Sequence, residues 1–379
     1  MRTIVSLTGS RGEWGYIRPI LRLIDRDPAL DYRIIATNMH LLPAFGMSVR
    51  EIEKDGFRVD ERIHMTFDGY TSATMTKSLA VLLLELPTVL QRLKPDILLL
   101  AGDRGEQLMG AIAGLHLGIP VAHIQAGELS GNVDGVVRHS ITKLAHIHFA
   151  ANETFADRVR KMGEQDFRIH VTGAPLVDEL VNGGYSPPEI LRQKYRLGDD
   201  DHLILTVQHP VTEEEMQAGD QVSETIKALI EMNWPTIFVY PNGDAGSELI
   251  RTQLAALKRP NVRLFRNLPR QDYLGLMRMA DVMVGNSSSG IMEAPSFGTP
   301  AVNIGRRQQG RPQACNVINT ASRKDEIVEA LHRATSPEFV QRAKTAVNPY
   351  GDGHASENIV GVLKTIELNE ELLRKEMAY

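Results

Sequence analysis

Cysteine is almost missing from this chain: Cys315 is the only one in 379 residues. That excludes an internal disulfide and a multi-cysteine metal site, and it fits a reducing compartment. An excess of one charge is missing too. The 42 Lys and Arg residues against 47 Asp and Glu leave a net charge of −5, with no block of five like charges. Neither nucleic acid nor an anionic membrane is therefore expected as the main partner, and an anionic ligand has to be held by a local arrangement. Long apolar runs are lacking as well. The longest, Leu79–Leu84, falls far short of the ~18 residues of a membrane span. The opening MRTIVSLTG enters strand-like residues directly, without the basic, long-apolar and small-residue order of a signal peptide. A soluble cytoplasmic protein without repeats or low-complexity tracts is the expectation.

What is present is 42% hydrophobic residues, enough for more than one core at about 100–200 residues per domain. Short apolar runs recur with helix-length segments between them: Thr3–Thr8, Tyr32–Thr37, Ile97–Ala101, Val121–Gln125 and Ile147–Ala150, then Leu203–Val207, Thr236–Tyr240, Val262–Phe265, Val282–Gly285 and Ala301–Ile304. Continuous apolar character suits central parallel strands covered on both faces, and the alternation is that of βαβ units. The turn-rich Asn182–Pro188 separates the two sets. The expected organisation is an α/β chain of two Rossmann-like, doubly wound domains, 1–180 and 181–354, followed by a helical segment at 355–379 that either caps the second domain or crosses back to the first.

Open parallel sheets bind ligands at loops after strands, so candidate chemistry is sought there. Gly9-Ser10-Arg11 follows the first strand and precedes a helix placed near Tyr16; the glycine and arginine suit an anion, although a plain tight turn reads the same. It is neither the spaced glycine fingerprint of a dinucleotide fold nor a Walker lysine loop. Gly102-Asp103-Arg104 and Gly127-Glu128 end two further strands, with Ser130-Gly131, Asp134 and Arg138-His139-Ser140-Ile141-Thr142-Lys143 close behind. Asp103 alone reads as a helix N-cap; three converging carboxylates would instead repel, raising at least one pKa toward the range of proton transfer. In the second half, His209-Pro210-Val211-Thr212 and Asn242 follow strands. The sequence Gly285-Asn286-Ser287-Ser288-Ser289-Gly290 ends another strand and opens a helix, where N–H groups and hydroxyls suit a diphosphate. Glu293 is placed one turn on, positioned for ribose hydroxyls, and Arg306, Arg307 and Arg311 supply nearby cations.

In this order and spacing, the motifs resemble those of the UDP-N-acetylglucosamine 2-epimerase family, over nearly the whole chain. The Arg138-His139-Ser140-Ile141-Thr142-Lys143 stretch is similar to the hydrolysing branch, which makes N-acetylmannosamine for sialic-acid-type sugars. The resemblance implies a GT-B-like fold of two Rossmann-like domains around a central cleft, with a last helix crossing back to the first domain. It also implies a UDP-sugar substrate, a homodimer or homotetramer, and neither cofactor nor metal. Asp103, Glu128 and Asp134 match the family's acid/base carboxylates, and His209 a histidine beside the sugar and phosphates. Arg11, Asn242, Ser287, Ser288, Ser289, Gly290, Glu293, Arg307 and Arg311 fall at substrate contacts. Departures lie on the sugar side: Gly12-Glu13-Trp14 stands where Ala-Asp-Tyr is common, Gly105 where an aromatic is common, and Ala126 where a glycine is common.

The chemistry implied is UDP elimination followed by hydration. The C2 hydrogen is not next to a carbonyl, so the C1–O bond has to loosen before that hydrogen becomes acidic; a 2-acetamidoglucal then takes up water. Rivals are the same reaction on a UDP-2,4-diacetamido-2,4,6-trideoxyhexose, a GT-B glycosyltransferase, and a non-catalytic nucleotide-sugar sensor.

Overall fold

The computed structural model describes every residue except 69–70, 130–132, 199–201 and 379; Ser130-Gly131 therefore lies outside the described residues. The chain forms two compact units. The first holds Met1–Glu128, Val133–Asp178 and Tyr350–Tyr379, and the second is built mainly from Glu179–Pro349.

The first unit is a seven-stranded parallel sheet: β1 (Arg2–Thr8), β2 (Leu30–Thr37), β3 (Glu61–Ile63), β4 (Ile97–Ala101), β5 (Val121–Ile124), β6 (Ile147–Ala150) and β7 (Ile169–Val171), in the order β3-β2-β1-β4-β5-β6-β7. The second repeats the plan with β8 (Ile204–Val207), β9 (Thr236–Val239), β10 (Val262–Phe265), β11 (Val282–Gly285), β12 (Ala301–Ile304) and β13 (Val317–Thr320), ordered β10-β9-β8-β11-β12-β13. Strand order reverses beside β1 in one sheet and beside β8 in the other. The connecting loops diverge there and leave a crevice at the carboxyl ends of β1 and β4, and of β8 and β11.

Alternation along the strands shows why their sequences are apolar throughout. Ile204, Val282, Val284, Val302 and Ile304 belong to one hydrophobic core, while their neighbours Leu205, Val207, Met283 and Ala301 belong to another. Successive side chains point to opposite faces, so both faces of the second sheet are covered and no polar alternation is left to see. Three strands absent from the sequence expectation, β3, β7 and β13, are all edge strands of three or four residues.

Several helices begin where local chemistry dictates. The first runs Arg11–Ile24, earlier than the expected Tyr16, because Ser10 and Glu13 form a capping box at its start, a device worth about 1 kcal/mol. Helix Ser72–Leu93 is long and apolar enough by composition to cross a membrane; Leu82, Leu86, Val89 and Leu90 on it are packed into the core of the first unit. The C-terminal segment is not one helix but two, Ala355–Thr365 and Glu370–Leu373. Ala355–Thr365 packs on Arg11–Ile24, and buried Asp178 accepts from the Ala355 and Ser356 N–H groups at 3.0 and 2.6 Å at its start.

Candidate active site

In the first unit the loops after β1, β4 and β5 carry the polar groups, and Arg138 organises them. Arg138 lies on helix Val133–Leu144 and its side chain is fully buried. Its Nη2 pairs with Asp103 and its Nη1 reaches Glu128 Oε2 at 3.3 Å. Nη1 also donates to the Gln125 carbonyl, at 3.3 Å. The Asp103 side chain is 20% exposed and that of Glu128 0%. Two carboxylates are thus brought together, as expected of a proton-transfer site, but a guanidinium stands between them, so the simple repulsion anticipated from the sequence is offset. Asp134 sits in the first turn of the same helix, half-buried and four residues before Arg138, which puts the two on one helical face.

Gln125 and its neighbours hold the Glu128 loop in shape. Gln125 adopts a left-handed backbone with φ of +69°, unusual for a residue with a side chain. Its Nε2 donates to Glu128 Oε2 at 3.0 Å and to the Tyr16 hydroxyl at 2.7 Å. Gly127 has φ of +76°, and a Cβ there would stand 2.2 Å from the Phe155 carbonyl oxygen, so only glycine fits. Behind the Asp103 loop, buried His123 donates from Nε2 to the Gly102 carbonyl at 2.8 Å; its Nδ1 then accepts from Thr142 Oγ1 at 3.2 Å. Burial pushes His123 down to about 3, so the ring is neutral at working pH.

Gly9-Ser10-Arg11 does not present an empty anion cradle. The Gly9 and Ser10 N–H groups donate to Glu13 Oε2 at 2.5 and 2.9 Å, so the loop fills with its own carboxyl group the place where the sequence allows a phosphate. Glu13 is 4% exposed. Burial first, and then the nearby Glu106 carboxylate, push it up to about 8. Glu106 Oε1 lies 3.0 Å from the place of a Cβ on Gly9, so two carboxyl groups flank one glycine. Arg11 Nη1 is buried without a hydrogen-bond partner.

In the second unit the β8 and β11 loops are stitched together. His209 N donates to Asn286 Oδ1 at 2.7 Å, and Asn286 Nδ2 returns a bond to the His209 carbonyl at 2.8 Å. His209 Nδ1 accepts from the Asn242 N–H at 3.1 Å, which leaves Nε2 as the ring's donor. Asn242 Nδ2 is itself bound to Asp244 at 2.5 Å. Gly285, at φ of +128°, would put a Cβ 2.0 Å from the Val207 carbonyl oxygen. The serine loop then opens a helix of one turn only, Ser289–Met292, so its dipole is small. Ser287 and Ser289 hydroxyls lie 3.0 Å apart, and Tyr273 hydrogen-bonds to both; burial and Glu293 push its phenol above the usual range.

The remaining sequence candidates are engaged locally. Glu293, expected to face ribose, is 5% exposed and paired with Arg270. Arg306 pairs with Glu214. Arg311 Nε donates to the Leu129 carbonyl at 3.0 Å. Arg307 Nη1 donates to the Asn286 carbonyl at 3.2 Å, with a buried Nε that has no partner. Arg138, Glu13, Gln125, Asn286 and Tyr273 received no role from the sequence. The spacing of Asp134 and Arg138 was the one signal available for any of them.

Two doubly wound parallel sheets with polar loops gathered at each reversal of strand order define a GT-B-like α/β protein. The chain belongs to the UDP-N-acetylglucosamine 2-epimerase family, which it matches over residues 22–364, and it is an enzyme of that family. It is 37% identical, over the full length of both chains, to the UDP-N,N'-diacetylbacillosamine 2-epimerase (hydrolyzing) of Legionella pneumophila. It is 32% identical to a UDP-N-acetylglucosamine 2-epimerase of Neisseria meningitidis, over 89% of this chain and 88% of that one. Its fold is similar to the crystal structure of UDP-GlcNAc 2-epimerase from Neisseria meningitidis bound to UDP-GlcNAc, with a TM-score of 0.82 at 20% identity, covering 95% and 99% of the two chains.

Proposed function

We propose that the protein is a hydrolysing 2-epimerase that eliminates UDP from a UDP-2-acetamido sugar and hydrates the resulting glycal, water adding at C1 and a proton at C2 with inverted configuration. The observation that carries this reading is the Asp103–Arg138–Glu128 arrangement at the ends of β4 and β5. It offers two carboxylates for proton transfer beside a fixed cation. As the C1–O bond loosens, positive charge grows on the anomeric carbon and the C2 proton becomes acidic. One carboxylate removes that proton; Asp134, Asp103 or Glu128 then protonates C2 from the other face while water adds at C1. His209 Nε2, Arg307 and the serine hydroxyls stabilise the departing diphosphate. Asn242, Gly290, Arg11, Glu293 and Arg311 complete the substrate contacts in this reading, the last two through the groups they hold. No cofactor or metal is invoked.

Two donors fit. UDP-GlcNAc would give N-acetylmannosamine, and a UDP-2,4-diacetamido-2,4,6-trideoxyhexose would give the corresponding 2-epimer. The name of the Legionella pneumophila relative supports the second, and that of the Neisseria meningitidis relative supports the first. Proton NMR in D2O of the protein with each donor separately, without acceptor, decides. UDP together with a free sugar deuterated at C2 is expected from one donor or both; UDP release that needs an acceptor alcohol, or none from either donor, overturns the reading. A cytoplasmic homodimer or homotetramer completes the proposal. Its self-association is supported by Leu84, Leu115 and Val136, exposed on the neighbouring helices Ser72–Leu93, Gly105–His116 and Val133–Leu144.

A further inference from the structure

Helix Val133–Leu144 carries Asp134, Arg138 and the Thr142 that meets His123, so its axial position sets most of the first unit's polar site. The last carbonyls at its C-terminal end are not satisfied by the residues that directly follow the helix. The Thr142 carbonyl would ordinarily accept from the His146 N–H, but that group is drawn to the Val121 carbonyl on β5 at 2.8 Å. The missing donor comes from the far end of the sequence. Lys375 Nζ reaches the Lys143 carbonyl at 2.8 Å and the Thr142 carbonyl at 3.2 Å, an ammonium placed where helix C-terminal carbonyls favour a cation.

Lys375 is in turn held from two sides. Its Nζ lies 2.6 Å from Glu164 Oε2, and the other oxygen of Glu164 takes Lys143 Nζ at 2.6 Å. Glu164 Oε2 also meets His148 Nε2 at 3.0 Å. In the segment just before Lys375, the carbonyls of Leu372, Glu371 and Arg374 accept from the fully buried Arg168 at 2.6, 2.7 and 3.2 Å. A buried guanidinium whose hydrogen bonds go to uncharged oxygens is an expensive element, and its effect here is to fix the residues immediately before Lys375. Downstream, the Ala378 N–H donates to the Gly163 carbonyl at 2.9 Å.

We propose that Lys375 is a positioning residue for the reaction, pinning the C-terminal end of helix Val133–Leu144 so that Arg138 and Asp134, one and two turns away, stand correctly against Asp103 and Glu128. This rests on the elimination–hydration reading for its kinetic consequence, though not for its structural one. The test uses the full chain with Lys375→Met and Lys375→Arg, following UDP release and amide hydrogen exchange of residues 133–144. Lys375→Met is expected to lower kcat by about tenfold with KM within about twofold, because the proton-transfer groups move while the diphosphate contacts do not. Lys375→Arg is expected to recover most of the rate, and exchange is expected to quicken at Arg138–Thr142 but not in helix Glu153–Lys161. Wild-type kcat in Lys375→Met, or unchanged exchange at Arg138–Thr142, overturns the proposal. If the wild-type chain releases no UDP from either donor, the functional reading fails, and the exchange result still decides whether Lys375 sets the helix.

Discussion

Replacing Glu13 by Gln tests whether the loop after β1 carries a protonated acid. Glu13 is almost wholly buried, accepts two backbone N–H bonds, and is held at about 8 instead of its ordinary 4.5, by burial and then by Glu106. Between those two values the folded chain keeps a proton that the unfolded chain has lost, so the contribution of Glu13 to stability is fully present below 4.5 and is lost as pH rises toward 8. At about 1.4 kcal/mol per pH unit the ceiling on that loss is about 5 kcal/mol; relaxation and water penetration around a charged buried carboxylate reduce it, and about 2 kcal/mol is a working expectation. Gln keeps an oxygen for the Gly9 and Ser10 N–H groups and places no charge beside Glu106, imitating the protonated acid. Urea unfolding of both proteins should therefore give equal stabilities near pH 5 and a variant more stable by about 2 kcal/mol near pH 8. The difference between the two proteins cancels the histidines, which titrate in both. Parallel stability curves, or a variant less stable near pH 8, would show that Glu13 works as a carboxylate and that the reasoning is wrong.

Arg138→Met leaves Glu128 buried without its cation, which should cost about 3–5 kcal/mol of stability and abolish UDP release; adding Glu128→Gln should return part of the stability and none of the activity, measured by denaturant unfolding and UDP assay. Four buried histidines are held below their ordinary 6.5, His40 and His123 at about 3 and His146 and His148 at about 4, in each case chiefly by burial. The unfolded chain binds protons there that the folded one refuses, so the wild-type protein should gain stability as pH rises from 4 to 6.5. An acid titration followed by circular dichroism that shows flat stability over that window would contradict the neutral assignments.

The sequence by itself determined the parts of this protein that depend on local order along the chain. Nine central strands were legible because burial on both faces leaves apolar runs, the edge strand β10 was read with them from its Val, Leu and Phe, and candidate sites were sought at strand ends because parallel sheets direct their loops there. Edge strands β3, β7 and β13 were not legible: at least half of each is exposed or polar, as in Glu61-Arg62-Ile63, and three or four residues carry no period. Residue types at the site were visible, but partnerships were not. Nothing in Asp103, Glu128 and Arg138 as letters says that one guanidinium joins two carboxylates 10 and 35 residues away. Nor does anything say that Glu13 fills the nest of its own loop, or that a lysine 232 residues downstream caps helix Val133–Leu144. Those are decided by which side chains the finished fold removes from water together. A buried charge has to find a partner wherever the packing puts one, and only the tertiary structure says where that is.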